Sequence, residues 1–304
     1  MIFLIVIVIS FLITFFLIPK IISFSIRKKF FDNPEGDILK VHRNPVPYLG
    51  GIGIFIGFVI PLLFVYIISG GAKEFLGIFL SSILIIGFGI WDDMKNVRPS
   101  IRLGGQLLAA GLTIYFGLMI NTFPLYYIVI PLTIIYILGS INTVNLFDGL
   151  DGLAGGVVSI SLIGFCLLFY LQGNNTYLMV SLALLGSILG FLPYNFNPAK
   201  IFMGDNGSTF LGYILAVLAI NATKPYDLTL FFVPVILIGF PIIDTALAIL
   251  RRVQKGKPIF VGDRSHTYDQ LVDKGLSVKK AVFTCYSIQI ALVAVALYWF
   301  NYYL

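Results

Sequence analysis

Ten apolar runs decide what this chain can fold into: residues 2–18, 49–69, 75–91, 103–120, 125–144, 153–171, 177–193, 207–221, 229–250 and 281–302. A helix needs about 20 mostly apolar residues to cross the hydrocarbon core of a bilayer. Inside lipid a backbone must satisfy its own hydrogen bonds, which favours helices for runs of this length. With 59% hydrophobic and 11% charged residues, the chain has the composition of no ordinary soluble domain. The expectation is an all-α polytopic membrane protein of about ten transmembrane helices, with residues 1–304 forming one integral membrane domain.

The loop charges give this count an orientation. If the N-terminus is outside, alternation collects all of the 20 Lys and Arg residues except Lys73 and Lys224 on one side. By the positive-inside rule that side is cytoplasmic, and an even number of spans leaves both termini outside. Of the 14 acidic residues, only Glu74 and Asp227 fall on the outer side, and Asp244 lies within the ninth run. The net charge of +6 therefore reflects topology and an anionic partner at the cytoplasmic face. No basic and aromatic groove pattern suggests nucleic acid. The first run has no positive segment before it and no small-residue cleavage site after it, so it is expected to be retained as a helix. Cys166 and Cys285 lack metal-ligand spacing. Gly53 and Gly57 form a small-xxx-small pair, which predicts close helix packing within the chain or in a homodimer.

The outer loops are short, whereas the acidic clusters all stand at the inner ends of the runs. Asp92 and Asp93 end the third run, where two carboxylates at a helix C-terminus oppose the helix dipole and repel each other. Lys95, Arg98 and Arg102 can neutralise them, and so can a divalent metal held partly by substrate phosphates. Asn142, Asn145, Asp148 and Asp151 recur every three residues and would share one face of a continuing helix. Gly149, Gly152, Gly155 and Gly156 thin the backbone beside them for a ligand, the plain alternative being a polar turn with Asp151 as N-cap. Asp205 opens the eighth run in a Gly-Asp-Asn-Gly-Ser turn, whose backbone N–H groups can receive phosphate oxygens while Asp205 holds a metal.

Phe202 can stack on a base or anchor the interface. His266, amid Asp263 and Arg264, can donate to a phosphate, and Arg43, in a basic, proline-stiffened stretch beside His42, can reach a lipid phosphate or a nucleotide. Asp244 lies about 9 Å deeper along a helix than Arg251 and either pairs with a neighbouring helix or lines a polar cavity.

Five motifs together carry a resemblance: Pro47-Tyr48-Leu49-Gly50-Gly51, Trp91-Asp92-Asp93, the stretch Asn142 to Gly152, Phe202-Met203-Gly204-Asp205 and Asp263-Arg264-Ser265-His266. Between about Arg43 and Gly275 the chain resembles the polyprenyl-phosphate N-acetylhexosamine-1-phosphate transferases of glycosyltransferase family 4. The resemblance implies ten helices in the plasma membrane with a cytoplasmic active site. It also implies transfer of a sugar-1-phosphate from a UDP-N-acetylhexosamine to polyprenyl (undecaprenyl) phosphate, releasing UMP. By the same resemblance Asp205 is the principal Mg²⁺ ligand, with Mn²⁺ as a substitute, and Asp92 and Asp93 match a pair assigned to metal binding or to activating the lipid phosphate. Asp148 matches a carboxylate once proposed as a covalent nucleophile. Asp151, Asn195 and Phe202 fall where relatives hold uracil, His266 matches a histidine near the phosphates, and Asn145 and Arg264 join Arg43 as substrate-binding candidates.

The chain departs from relatives that carry further histidines after the first, since Tyr268 and Asp269 stand there instead. The Pro47-Tyr48-Leu49-Gly50-Gly51 entry and the Asp-Arg-Ser-His form resemble the GlcNAc-transferring branch more than the phospho-N-acetylmuramoyl-pentapeptide transferases, which usually show consecutive histidines and stand as the alternative. A cation-coupled transporter is the other class. Its acids would be expected near the bilayer midplane, and only Asp244 approaches that depth.

Overall fold

The computed structural model describes residues 1–34, 44–223, 227–256, 258 and 263–303. Its helices are α1 (Ile2–Lys28), α2 (Gly50–Ile68), α3 (Lys73–Lys95), α4 (Pro99–Tyr115), α5 (Tyr126–Phe147), α6 (Leu153–Leu171), α7 (Asn175–Asn195), α8 (Gly204–Ala222), α9 (Leu228–Leu237), α10 (Gly239–Gln254), α11 (Thr267–Asp273) and α12 (Val278–Tyr302). Every apolar run is helical over most of its length, the fourth losing its last five residues, 116–120. Among the described residues seven helices are individually long and apolar enough to cross a membrane, and the bent pair α9 and α10 makes eight if counted as one span. At 17 residues, α4 is shorter than those helices. The polar residues that open α8 set it apart from them in composition.

Two features depart from the expected run boundaries. The first helix continues to Lys28, ten residues beyond residue 18, and ends where Lys29 turns left-handed at φ 58°. The ninth run, expected as one span, breaks between α9 and α10 with a bend of 77°. Pro241 accounts for the break, because it has no N–H to bond the carbonyl of Leu237 four residues earlier and its ring crowds that oxygen. Gln289 of α12, fully buried, repairs the loss: its amide nitrogen Nε2 donates to Leu237 O at 2.7 Å and its Oε1 accepts the Phe240 N–H at 3.1 Å. Unsatisfied backbone groups at this depth would each cost several kcal/mol.

The helical bundle closes around α8, which packs against α2, α3, α5, α6, α7 and α9 and is buried along nearly its whole length. Glycines permit the approach at its N-terminus. A Cβ on Gly51 or Gly89 would collide with Asn206 or Gly207. By contrast, Gly53 and Gly57 face Ile18 and Thr14 of α1, so the small-residue pair serves packing within the chain and is not a homodimer surface. The all-α expectation gains one small addition, an antiparallel pair of β1 (Phe31–Asp32) and β2 (Val46–Pro47), with Phe31 opposite Pro47. Pro47 O then accepts the N–H of Phe202 at 2.7 Å, and Phe202 O accepts that of Gly50 at 2.9 Å. The stretch before α2 is thereby fastened to the turn before α8.

Candidate active site

A cavity of about 870 Å³ opens where the C-terminal ends of α3 and α5 meet the N-terminus of α8. Asp92, Asp93, Asp148, Asp151 and Asp205 all line it, with Asn145, Asn195 and Phe202. Residues distant in sequence thus converge, and each carboxylate is held differently.

Asp92 sits in the last turn of α3. Its Oδ1 accepts the Val97 N–H at 2.8 Å, and its Oδ2 accepts Arg102 Nη1 at 2.9 Å. Asn96, left-handed at φ 46°, ends α3 and allows the chain to turn back toward Asp92. The expected local cation is therefore present as Arg102, which also lies 3.6 Å from Asp205 Oδ2.

Asp93 accepts the backbone N–H groups of Asp205 at 2.8 Å and Asn206 at 3.1 Å, together with the Asn206 side-chain amide at 2.6 Å. Its carboxylate occupies the N–H groups expected to receive phosphate, and its charge lies at the positive end of the α8 dipole. Gly204 turns left-handed at φ 72° beside it, and a Cβ there would collide with the Tyr48 carbonyl.

Asp205 is positioned by Asn145, whose Nδ2 donates to Asp205 Oδ1 at 2.7 Å and to Ser208 Oγ at 2.9 Å. Asp148 follows the end of α5, where its N–H donates to Asn145 O at 3.2 Å, and its carboxylate has no hydrogen-bond partner among the described residues. Burial pushes its pKa up to about 8, and the charges of Asp205, Asp151 and Asp93 add to the shift. Tyr48, on the cavity wall, is likewise raised, first by burial and then by Asp93 and Asp32.

The spacing of three does not continue along one helical face, because α5 ends at Phe147. Asn142 turns away to Gln106, bonding its Oε1 at 2.7 Å. Asp151 is no N-cap: its Oδ2 accepts Asn197 Nδ2 at 2.9 Å and the Ala199 N–H at 3.0 Å, while Gly152 is the N-cap residue of α6. Asn195 holds the same region, accepting the Gly152 N–H at 3.0 Å and donating to Ile201 O at 2.9 Å. The neighbouring glycines make room chiefly for protein side chains, with Tyr268 over Gly149 and Tyr286 over Gly156.

His266 and Arg264 do not line the cavity. His266 is buried against Asp244, with Nδ1 2.7 Å from Oδ2, so Asp244 pairs with a neighbouring segment. Arg264 forms an ion pair with Asp273 at 2.7 Å, a contact that raises its pKa, and lies 3.7 Å from Asp269. Arg43 and His42 lie outside the described residues. Sequence reasoning had overlooked Phe31, Asp32, Tyr48, Asn197 and Ser208 as wall residues, and had read Arg102 only as a counter-charge.

Fold and site together define a multi-pass membrane protein with an acidic, arginine-bearing cavity at one end of its helices. The sequence profile described as glycosyl transferase family 4 matches residues 75–223. The chain is 36% identical over 293 residues to a probable undecaprenyl-phosphate N-acetylglucosaminyl 1-phosphate transferase of Bacillus subtilis, covering 92% of this chain and 80% of the relative. It is 32% identical over 290 residues to a decaprenyl-phosphate N-acetylglucosaminephosphotransferase of Mycobacterium tuberculosis, covering 81% and 70%. It is also 31% identical over 323 residues to a phospho-N-acetylmuramoyl-pentapeptide-transferase of Halalkalibacterium halodurans, covering 96% and 95%. The chain belongs to glycosyl transferase family 4.

Proposed function

We propose that this protein transfers N-acetylglucosamine-1-phosphate from UDP-GlcNAc to a polyprenyl phosphate such as undecaprenyl phosphate, releasing UMP and starting a lipid-linked glycan. The observation that carries the reading is the convergence of Asp92, Asp93, Asp148 and Asp205, with Arg102, on one cavity. The names of the Bacillus and Mycobacterium relatives supply the sugar phosphate and the lipid class. The cavity faces the cytoplasm of a plasma membrane in this reading, with ten spans and both termini outside. Exposed Tyr115, Tyr126, Tyr127, Tyr170 and Tyr302 gather at the helix ends opposite the cavity and mark the other membrane interface, while the Lys and Arg of the cavity-side loops support the orientation.

Mg²⁺, or Mn²⁺ in its place, fits the residues present. Among the described residues no three His, Cys, Asp or Glu side chains are close enough to hold an ion alone. Mg²⁺ suits such a site because it binds through one or two carboxylates and takes further oxygens from substrate phosphates and water. Asp205, oriented by Asn145, would be the principal ligand and Asp92 the second, with Arg102 between the two carboxylates as the cation that the ion would displace. When bound, the ion supplies charge neutralisation at the donor pyrophosphate.

The chain's own residues do the remainder. Arg102 offers its guanidinium to the phosphates, and Phe202, Asn195 and Asp151 form the nucleoside side of the cavity. Asp93 keeps the start of α8, and hence Asp205, in place. The lipid phosphate is mainly dianionic at neutral pH, with a second pKa near ~6, and is already a nucleophile. Its oxygen attacks the β-phosphorus of the donor, the bond to the bridging oxygen breaks, and UMP leaves with the electron pair. A phospho-aspartate trapped at Asp148 would overturn this direct route.

The experiment is UMP release by purified protein given UDP-GlcNAc, Mg²⁺ and undecaprenyl phosphate, with Asp205→Ala as control. UMP that needs the lipid and disappears in the variant supports the reading. UMP only with the muramoyl-pentapeptide donor would replace it with the alternative.

A further inference from the structure

The histidine expected to meet phosphate is held away from the cavity, and its contacts lead back to Asp148. His266 Nε2 lies 3.4 Å from Arg252 Nη2. A guanidinium only donates, so Nε2 is the accepting nitrogen and Nδ1 carries the proton that it shares with Asp244. The other Asp244 oxygen accepts the Thr267 N–H at 2.6 Å. These bonds fix the imidazole plane, and Tyr268 stacks on it with centroids 5.2 Å apart and planes at 15°.

Tyr268 in turn supports the stretch that carries Asp148. Its hydroxyl donates to Leu146 O at 3.2 Å, and its ring meets Phe147 edge-on at 5.7 Å. It also fills the space over Gly149, where any Cβ would strike the tyrosine ring. Residues on both sides of Asp148 thus rest on one buried side chain that does not itself line the cavity. The Asp148 carboxylate has no hydrogen-bond partner among the described residues, so the turn alone aims it.

We propose that Tyr268, aligned by His266 and Asp244, is a positioning residue that sets the direction of Asp148 without touching substrate. The inference rests on the phosphotransfer reading for its kinetic consequence, but its structural consequence can be measured without turnover.

The experiment uses the full chain in lipid nanodiscs as wild type, Tyr268→Phe, Tyr268→Ala and His266→Gln. Two quantities are measured: hydrogen exchange of the peptide spanning residues 146–150, and the kinetics of UMP release. Tyr268→Phe keeps the ring and loses one hydrogen bond, so kcat should fall about three- to tenfold. Tyr268→Ala should lower kcat by about 100-fold while the KM for UDP-GlcNAc stays within about twofold, since an unaimed carboxylate harms turnover more than binding. Exchange over 146–150 should quicken in Tyr268→Ala and His266→Gln, with the start of α8 unchanged.

Unchanged exchange over 146–150 in folded Tyr268→Ala would overturn the proposal. So would a raised KM at constant kcat, which would make Tyr268 a substrate contact. Should Tyr268→Ala fail to fold, Tyr268→Phe and His266→Gln carry the same comparison. Quickened exchange together with a wild type that releases no UMP would support the positioning role and overturn the phosphotransfer reading.

Discussion

The Asp93 carboxylate, at the end of α3, caps α8 by accepting the backbone N–H of Asp205 at 2.8 Å. One residue earlier, Asp92 faces Arg102 instead. Adjacent acids that look equivalent in sequence thus have separate structural work, one fixing the start of the central helix and the other holding a cation at the cavity wall.

Asp93→Ala leaves the N–H groups of Asp205 and Asn206 without their acceptor. Each buried donor left unpaired costs about 1–3 kcal/mol, so the variant should lose stability and nearly all turnover. Asp93→Asn keeps one acceptor oxygen and should be milder in thermal unfolding. Equal stability of Asp93→Ala and wild type would contradict the cap.

Gly204→Ala tests the same junction from its other side. The position has φ 72°, and a Cβ would lie 2.8 Å from Asp93 Oδ2 as well as against the Tyr48 carbonyl. The strain of a left-handed Ala alone is about 1–2 kcal/mol, and the collision adds to it. The expected outcome is a lower unfolding temperature and a weak enzyme, whereas Gly87→Ala, facing open space, should change neither.

Arg102 offsets the charges of Asp92 and Asp205 and is partly exposed, its side chain 41% accessible. Solvent screening limits such a pair to about 0.2–1 kcal/mol. Arg102→Gln should therefore bind Mn²⁺ about two- to fivefold more tightly without substrates, read by electron paramagnetic resonance, while turnover falls because the phosphates lose a cation. Weaker Mn²⁺ binding in Arg102→Gln would mean that the arginine builds the ion site instead of competing with it.

Asp148 has a pH signature. Its pKa rises from the ordinary 3.8 to about 8, so between these values the ion-free folded protein holds a proton that the unfolded chain has released. That contribution to stability is complete below about pH 4 and is lost as pH rises through 8. Unfolding temperature should fall over this window, and Asp148→Asn should flatten the fall. Adding Mg²⁺ at pH 7 should release protons into weak buffer, less so above pH 9, and fewer in Asp148→Asn than in wild type. Proton release identical in wild type and variant would contradict the assignment.

The helices were legible because apolar runs of spanning length leave the backbone little alternative, and the carboxylates were legible because such runs exclude them except at their ends. Asp205 could be placed at the start of a helix from its Gly-Asp-Asn-Gly-Ser turn alone. The break after Leu237 was missed because a hydropathy window averages over Pro241, although a proline four residues beyond a carbonyl is a readable signal. Asp93 as a cap was hidden, since its partners lie 112 and 113 residues away. His266 was misdirected for a similar reason. Its place amid Asp263 and Arg264 suggests a phosphate contact, but Asp244, buried in α10, offers an acceptor that draws the ring inward. Phe31 and Asp32 reach the cavity wall only through pairing with Val46 and Pro47, a contact that no local pattern announces.

The most direct test of sugar-1-phosphate transfer follows the β-phosphorus of the donor. UDP-GlcNAc labelled there would be incubated with purified protein, Mg²⁺ and undecaprenyl phosphate, and the label counted in lipid and water phases. The account predicts label in a lipid-linked pyrophosphate with one unlabelled UMP released per labelled lipid, and none with Asp205→Ala. Label remaining in water, as UDP or as free GlcNAc-1-phosphate, would contradict it.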